Sequence, residues 1–332
     1  MTANIDWGAE TAGPSGPIRI RGLNKRYKDQ VAVDGLDLDV PAGSVFGLLG
    51  ENGAGKTTTI KSILGMVAPD GGWVSTLGLD PSKFGLDVRR RVGYVPEQPV
   101  LYDWMTVGEI GWFAAGFHVE PGAGTAGYLT RYGELVRGFG LPEKRRIREL
   151  SKGMRSKVSL SLALAAGPEL LVLDEPTSGL DLLVRREFLE SMVDLAGVGR
   201  TVLLSSHQIA EVERVASHVA LIHKGKLVLA EALDELQART YVLTLTSSGF
   251  DRTPEAPGGL PLEVVDVDEA PRQARWLVHA DDRAAAEAVR SLPGVGTLAV
   301  EPANLEEIYI GYMRGRGASP APAGPRSARG VA

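Results

Sequence analysis

Strand-like and helix-like hydrophobic patterns succeed one another along the chain. Ile18, Ile20, Val31 and Val33 stand among polar residues and predict strands. The unbroken apolar run from Leu170 to Leu173 predicts a strand that is buried on both faces of a parallel sheet. From about residue 99 to residue 149, apolar side chains recur at helical spacing, at Val107, Ile110, Phe113, Ala114 and Phe117. We therefore expect an α/β fold that carries a helical insert.

A second unit is predicted from about Thr240. Tyr241, Leu243 and Leu245 alternate with polar residues, and residues 275–278 also have a strand-like pattern. Residues 281–291 and 305–313 have helical patterns. The pattern is typical of a small α+β domain over residues 240–313. The two ends, residues 1–17 and 314–332, are rich in Gly, Ala and Pro without periodicity and are predicted to be disordered.

Composition narrows the class of protein. The chain has 332 residues, of which 44% are hydrophobic, enough for one large domain and a small one. It has no Cys, which excludes disulfides and cysteine metal sites, and its net charge of -5 gives no general attraction to nucleic acid. The longest apolar stretches fall short of the roughly 18 residues that a spanning helix needs, and no secretory signal opens the chain. We expect no membrane span.

A glycine-rich loop follows the apolar residues 45–49 and predicts the nucleotide site. Its residues are Gly50, Glu51, Asn52, Gly53, Ala54, Gly55, Lys56, Thr57 and Thr58. The glycines allow backbone N–H groups to turn toward phosphates at close approach. Lys56 is expected to reach the outer phosphates, the Thr57 hydroxyl to ligate Mg²⁺, and the helix starting near Lys56 to point its positive end at the anion. The alternative is a glycine turn before a helix.

Two acids end the apolar run 170–173. Asp174 is expected at the sheet edge, where it would hold the metal, and Glu175 beside it is the candidate general base for the water that attacks the terminal phosphate. An acidic pair at the start of a helix is the alternative interpretation, which the phosphate loop disfavours.

Three further segments follow in order, at residues 150–154 (Leu-Ser-Lys-Gly-Met), 178–181 (Ser-Gly-Leu-Asp) and 205–207 (Ser-Ser-His). With the loop and the two acids, they resemble the ABC transporter ATPase family over about residues 18 to 230. Lys152 and Met154 replace a Gly and the Gln of the family's usual signature, and this variant is similar to the branch that drives ABC-2-type, mostly exporting, systems. The resemblance implies a P-loop NTPase core with an antiparallel β subdomain and a helical subdomain.

The resemblance also sets domain bounds and roles. It implies an ATPase domain over residues 18–235, with the helical subdomain at about 99–165, and an accessory domain whose role is dimer support or regulation. His207 matches the family's switch histidine, which steadies the terminal phosphate. Asp181 matches the aspartate that ties two nucleotide sites together across a dimer, although Asp in this turn also suits a helix cap.

Ser151 and Gly153 precede a helix predicted from about Met154 to Ala166, so they offer free N–H groups to an anion. In the family this segment closes over the nucleotide of the opposite subunit, which implies a homodimer or a paired ATPase half. An ordinary helix cap is the alternative.

Two assignments rest mainly on the resemblance. Tyr27 matches the aromatic residue that stacks on adenine, and the alternative is a Tyr packed into an antiparallel strand. Glu97 occupies the position of a Gln that joins the metal to the membrane partner, and Gln98 follows it. Either residue is a candidate metal ligand, and the choice between them stays open.

The function implied is ATP hydrolysis with Mg²⁺, which energises export through a separate transmembrane permease at the cytoplasmic face of the membrane. Leu101, Tyr102 and Trp104 are candidates for a surface that meets this permease, against the alternative that they belong to the core. A competing class is a soluble ABC-type ATPase that acts on ribosomes or DNA. It is disfavoured because the chain has one cassette, a short helical insert and no Cys. A non-catalytic regulator is disfavoured because Lys56, Asp174, Glu175 and His207 are all present.

Overall fold

The computed structural model describes residues 16–118, 124–178, 180, 182–247, 261–270 and 273–314. The strands are β1 (Ile18–Tyr27), β2 (Gln30–Val40), β3 (Val45–Leu49), β4 (Gly71–Thr76), β5 (Val92–Val95), β6 (Leu170–Asp174), β7 (Thr201–Ser206), β8 (His218–His223), β9 (Lys226–Ala232), β10 (Thr240–Ser247), β11 (Leu262–Ala270), β12 (Gln273–Ala280) and β13 (Val295–Pro302). The α-helices are α1 (Lys56–Ile63), α2 (Pro81–Arg91), α3 (Val107–Ala115), α4 (Ala126–Gly138), α5 (Lys152–Ala165), α6 (Leu182–Gly197), α7 (Ile209–Val215), α8 (Leu233–Ala238), α9 (Arg283–Glu287) and α10 (Leu305–Arg314).

A six-stranded sheet in the order β5-β6-β7-β3-β8-β9 forms the centre of the N-terminal part. Its strands are parallel except for β9, which pairs antiparallel with β8. All five residues of β3 and of β6 are buried because both faces of the sheet are covered. The carboxyl ends of β3, β6 and β7 therefore meet at one edge, where ligands bind in open parallel sheets.

Successive residues of each central strand face opposite sides of the sheet. On β6, Leu170 and Val172 pack with the antiparallel sheet β2-β1-β4 and with α1. Leu171 and Leu173 pack on the other side with α6 and α7. Ile18 and Ile20 of β1 are fully buried against the first of these layers. Packing on both faces holds the central sheet in place, and with it the edge formed by the carboxyl ends of β3, β6 and β7.

A helical part lies between β5 and β6 in the chain and has its own hydrophobic cluster, built from α3, α4 and α5. Thr106 begins α3 with a capping box, in which its hydroxyl accepts from the Glu109 N–H and the Glu109 carboxylate accepts from the Thr106 N–H. The predicted helical positions Val107 and Ile110 are buried, whereas Phe117 is 70% exposed. The first two face the cluster and the third faces outward.

The C-terminal part is a four-stranded antiparallel sheet, in the order β11-β12-β10-β13, with α9 and α10. Leu243 and Leu245 are buried as their alternation predicts. The helix predicted over 281–291 is shorter, since α9 ends at Glu287 and a 3-10 turn follows it. The sequence patterns did not predict strands β11 and β13. The predicted architecture, an α/β core with a helical insert followed by a small α+β unit, is observed.

Helix α10 packs back onto the N-terminal part. Leu305 and Ile308 lie in the same hydrophobic cluster as Val212 of α7 and Leu171 of β6. Of the predicted disordered ends, only residues 16, 17 and 314 are among the described residues. Pro17 accepts a hydrogen bond from the Leu77 N–H, and Arg314 is the last residue of α10. No helix in the described ranges is long and apolar enough to cross a membrane.

Candidate nucleotide-hydrolysing site

The glycine-rich loop joins β3 to α1 at the carboxyl edge of the sheet. Gly53 has φ +82° and Gly55 has φ +112°, which L side chains rarely adopt. A Cβ on Gly50 would lie 2.5 Å from the Ile222 carbonyl oxygen, and a Cβ on Gly55 would lie 2.5 Å from that of Ala32. The loop is therefore pressed onto neighbouring backbone and needs glycine at these two positions.

The rest of the loop is exposed, as a ligand-binding surface requires. Glu51, Asn52, Gly53 and Thr57 are exposed, whereas Ala54 is buried and accepts a hydrogen bond from Gly225. Helix α1 begins at Lys56 and includes Thr57 and Thr58 in its first turn. Its first N–H groups lack helical acceptors and lie next to the glycine turn, so this end of the helix can bind an anion.

Lys56 is buried and reaches back across the loop. Its Nζ donates to the carbonyl oxygen of Gly50 at 2.7 Å and to that of Glu51 at 3.3 Å. It also lies 3.1 Å from Oε1 of Glu175, a buried oxygen that accepts no hydrogen bond, so this contact is an ion pair with poor alignment. The structure thus brings together the predicted lysine and the predicted base.

Asp174 occupies the last position of β6 and is 3% exposed. Its Oδ1 accepts from Thr57 Oγ1 at 3.3 Å and from Ser205 Oγ at 2.7 Å. The predicted metal ligands Thr57 and Asp174 are therefore neighbours. Burial, followed by the charge of Asp174, raises the pKa of Tyr94 on β5 to about 12.

Glu175 follows Asp174 in a strained conformation, with φ +49°. Its N–H is held by both the carbonyl oxygen and Oγ of Ser205, at 3.2 and 3.1 Å. Its Oε2 lies 2.7 Å from Nδ1 of His207 and accepts the His207 N–H at 3.3 Å. The carboxylate lies between the side chains of Lys56 and His207.

Ser205 is a site residue that the sequence analysis left without a role. It fixes both the Asp174 carboxylate and the Glu175 backbone. The parallel register places Ser205 opposite Asp174. The sequence feature that could have indicated this role is the position of Ser205, a hydroxyl residue directly after the apolar run 201–204.

The remaining predicted residues lie further from this constellation. Ser151 caps α5, which begins at Lys152 and not at Met154, and its hydroxyl accepts from the Met154 N–H at 3.3 Å. Gly153 is buried, and a Cβ there would lie 3.1 Å from Val184 of α6. The described hydrogen bond of Ser151 stays within its own helix. Asp181 lies outside the described residues.

Tyr27 is the last residue of the antiparallel strand β1 and is 44% exposed. Nζ of Lys25 lies 5.6 Å from its ring centroid. Glu97 and Gln98 are both exposed in the loop after β5. Because Val95 of β5 pairs with Leu173 of β6, this loop starts at the same sheet edge as Asp174.

The candidate permease-facing residues are largely at the surface. Tyr102 is 48% exposed and Trp104 is 64% exposed, and Leu101 is partly buried against the helical cluster. The core interpretation is therefore wrong for the two aromatic residues. Ring contacts link Tyr102 to Trp104 and to Phe113, and Phe113 to Phe117.

Comparison with known proteins gives a matching family model and several curated relatives. The family model for ABC transporters matches residues 33–178. A daunorubicin resistance ATP-binding protein of Streptomyces coeruleorubidus is 34% identical over 88% of this chain and 94% of its own length. An uncharacterized ABC transporter ATP-binding protein of a Nostoc species is 40% identical over 62% of this chain, which spans 61% of that relative.

Solved structures agree in fold. The ATP-binding subunit of an ABC transporter is 33% identical, with a TM-score of 0.61, over 66% of this chain and 91% of that one. A dimeric ATP-binding cassette in a post-hydrolysis state with ADP and Pi has a TM-score of 0.59 at 22% identity, over 65% of this chain and 98% of that one, and shares the fold.

Proposed function

The chain belongs to the ABC transporter family of ATP-binding, ATP-hydrolysing proteins, in its exporter branch, and from this premise we propose that it energises export through a separate membrane permease. The observation that carries the hydrolytic role is the buried Glu175 carboxylate, held between Lys56 at 3.1 Å and His207 at 2.7 Å. It combines a base, a phosphate-binding cation and a polar partner at one point of the sheet edge.

The donor set fits ATP and a magnesium ion. The glycine turn and the start of α1 present N–H groups to phosphates, and the Lys56 ammonium can exchange its carbonyl partners for phosphate oxygens. Mg²⁺ is commonly held by one or two carboxylates together with phosphate oxygens and water. Asp174 and Thr57 supply a carboxylate and a hydroxyl, and the described residues hold no cluster of three or more His, Asp or Glu that would bind a metal alone. When bound, the ion would neutralise charge on the phosphates.

The chain's own residues then divide the work of hydrolysis. Glu175 accepts a proton from, or orients, the water that attacks the terminal phosphorus, while the bond to the bridging oxygen breaks and ADP and phosphate leave. Lys56 stabilises the charge that develops on the phosphate oxygens. His207 holds Oε2 of Glu175, which fixes the direction in which the base faces.

The second half of each site is proposed to come from another ATPase subunit. Ser151 is exposed at the start of α5, a 14-residue helix, whose positive end can attract an anion. We place Ser151, Gly153 and Asp181 in the contact with the opposite nucleotide. Tyr27, exposed at the end of β1, is the proposed platform for adenine.

The permease contact is proposed at the outer aromatic surface of the helical part. Trp104 and Phe117 are 64% and 70% exposed, and Tyr102 and Phe113 join them through ring contacts. Trp112, the residue before Phe113 on α3, is 72% exposed. Exposed aromatic clusters of this kind mark interaction sites, because such side chains are enriched in interface cores. We call these five residues the aromatic surface.

The domain bounds proposed are those of the sequence analysis, with residues 18–235 as the ATPase domain and 240–313 as the accessory domain. The contact between α10 and α7 supports a regulatory role for the accessory domain, since α7 begins two residues after His207.

The test is a pull-down from detergent-solubilised membranes with the Glu175→Gln form loaded with ATP. Co-purification of a multi-span membrane protein supports the transporter role, and its loss on adding Trp104→Ser and Trp112→Ser would locate the contact. Recovery of ribosomes, DNA or a soluble dimer alone would favour the soluble class of ATPase. Nucleotide binding by each variant is the control for folding.

A further inference from the structure

A polar cluster lies next to the catalytic constellation. Its members are Arg185 on α6, Glu211 on α7, and Thr177 and Gln208 in the loops that precede these helices. Thr177 and Glu211 are 1% and 7% exposed, so the cluster is largely shielded from water. The proposed hydrolysis uses none of these side chains.

Glu211 is a buried carboxylate that is held from two directions. Its Oε2 accepts from Thr177 Oγ1 at 2.5 Å, and its Oε1 lies 3.0 Å from Nε of Arg185. The second contact lacks hydrogen-bond alignment and acts through charge. A buried carboxylate needs such a cation, because desolvation otherwise disfavours its charged form.

Arg185 uses its remaining nitrogens on two different loops. Nη1 donates to Oε1 of Gln208 at 2.6 Å, and Nη2 donates to the carbonyl oxygen of Leu180 at 3.2 Å. A guanidinium can make these contacts at once because its donors are fixed in a planar fork, whereas the ammonium of a lysine is a single point of charge. Arg185 is therefore a bridge and not only a counter-ion.

The two bridged loops are the ones that carry the reacting side chains. Thr177 and Leu180 follow Glu175 in the chain, and Gln208 follows His207 directly. At the reaction side, Glu175 contacts His207 through its carboxylate and Ser205 through its N–H, which is one direct link between these segments. Arg185 and Glu211 form a second link a few residues away, so the two links together limit rotation of one loop against the other.

We propose that Arg185, with Glu211, is a positioning residue for hydrolysis, which holds the Glu175 and His207 loops in register; this rests on the proposed role of Glu175 as the base. Glu175 has a strained φ of +49°, and such a conformation persists only where the surrounding structure holds it. The link through Arg185 and Glu211 is part of the structure that holds it. Loss of the link should loosen the base and leave the phosphate loop intact.

The experiment measures ATP turnover at saturating ATP and Mg²⁺, the KM for ATP, and the number of ATP sites per folded chain. The variants are Arg185→Met, Arg185→Lys and Glu211→Gln, with Arg186→Met as the matched control. Arg186 is the next residue of α6, is exposed, and pairs with Glu190 at 2.7 Å. Turnover is divided by the number of ATP sites, so that unfolded protein does not count.

We expect turnover per site to fall about tenfold in Arg185→Met and in Glu211→Gln, with KM within about twofold and the control unchanged. A variant that combines Arg185→Met with Glu211→Gln should lose little more turnover than either single variant, because both substitutions remove the same link. Arg185→Lys should keep the folded protein and its charge but still lose turnover. If Arg185→Met does not fold, the turnover of Arg185→Lys tests the positioning role instead.

Normal turnover per site in Arg185→Lys and Glu211→Gln, or a loss that appears only as fewer ATP sites, would overturn the positioning role. Wild-type protein and Glu175→Gln are measured alongside. If Glu175→Gln retains full turnover, the proposed base is wrong; if it is inactive while the Arg185 variants are active, only the positioning role fails.

Discussion

Nδ1 of His207 lies 2.7 Å from Oε2 of Glu175, and the N–H of His207 donates to the same oxygen at 3.3 Å. The residue directly after β7 thus contacts the carboxylate through both its side chain and its backbone. Ser205, which lies on β7, holds the backbone N–H of Glu175. The orientation of the proposed base is therefore set by β7 as much as by the strand that precedes it.

Replacing Glu175 by Gln should abolish turnover and preserve ATP binding. The amide keeps the size of the side chain but cannot accept a proton, so phosphate release should fall by about a hundredfold or more. Fluorescent-nucleotide binding should stay within about threefold of wild type. Glu190→Gln, an exposed carboxylate on α6, is the control. Turnover close to wild type would remove Glu175 from the mechanism.

Lys56→Met should have the opposite signature. The buried ammonium is the cation nearest the glycine loop, so its loss should weaken ATP binding by about tenfold or more, before any effect on the chemical step. Lys61→Met is the matched control, because Lys61 is an exposed lysine in the last turn of the same helix. Equal nucleotide affinity in both variants would exclude the proposed phosphate contact.

Glu97→Gln tests the loop after β5. If Glu97 takes the place of the family's Gln, the neutral amide removes one negative charge beside the phosphates, and coupled ATPase activity should be kept or raised. Gln98→Ala is the neighbouring comparison, since both side chains are exposed in the same loop. The measurement is the Mg²⁺ dependence of turnover. A Mg²⁺ dependence in Glu97→Gln that equals that of wild type would argue against that residue as a metal ligand.

Much of the core and the main site could be predicted from sequence, because local constraints are strong there. Gly55 must adopt φ +112°, and the apolar run that ends at Asp174 fits only a doubly covered strand. The same strength is missing in the accessory part. No residue of strand β11 is buried and β13 has one buried position, Val300, so burial in a core constrains the sequence of these two strands only weakly.

Contacts between distant segments were also beyond prediction. Arg185 and Glu211 lie on different helices, and their pairing depends on how α6 and α7 pack. Ser205 needed the register between β6 and β7. The exposure of Trp104 depends on which side of the loop faces the helical cluster, and spacing alone left this open.

Glu213→Ala should loosen the accessory part from the ATPase part. Oε1 of Glu213 on α7 accepts from the N–H of Leu305 at 2.9 Å and from Nε2 of Gln237 at 2.7 Å. The carboxylate satisfies a free N–H and faces the positive end of α10, which contributes about 1 kcal/mol. We expect a lower unfolding free energy by about that amount and an altered ATPase rate.

The control for this prediction is Glu301→Ala, an exposed carboxylate on β13. Deletion of residues 240–313 is a blunter test, since it also removes Leu305 and Ile308 from the shared hydrophobic cluster. It should weaken dimerisation or change the ATPase rate. If the deletion moves neither quantity, and Glu213→Ala changes stability alone, the accessory domain has no regulatory role.

His279 should make stability depend on pH between about 4 and 6.5. Its Nδ1 lies 3.1 Å from Thr240 Oγ1 and its Nε2 lies 2.7 Å from the Tyr312 hydroxyl. Thr240 donates its own hydroxyl proton to the Leu236 carbonyl, so Nδ1–H donates to Thr240 and neutral Nε2 accepts from Tyr312. Burial, and then the charge of Arg239, lowers the pKa of His279 to about 4.

The sign follows from proton uptake. Below the unfolded pKa of about 6.5 the unfolded chain binds a proton that folded His279 refuses until about pH 4, so unfolding becomes easier as pH falls through this window. The loss is up to about 3 kcal/mol and is complete below pH 4. Above pH 6.5 the group is neutral in both states, and His279 gives no pH dependence.

The variant His279→Gln can donate and accept without titrating, so the difference between the two proteins isolates this group. Urea unfolding at pH 7.5, 6 and 5 measures it. Parallel stability curves for wild type and variant would mean that His279 takes up its proton in the folded protein as easily as in the unfolded chain.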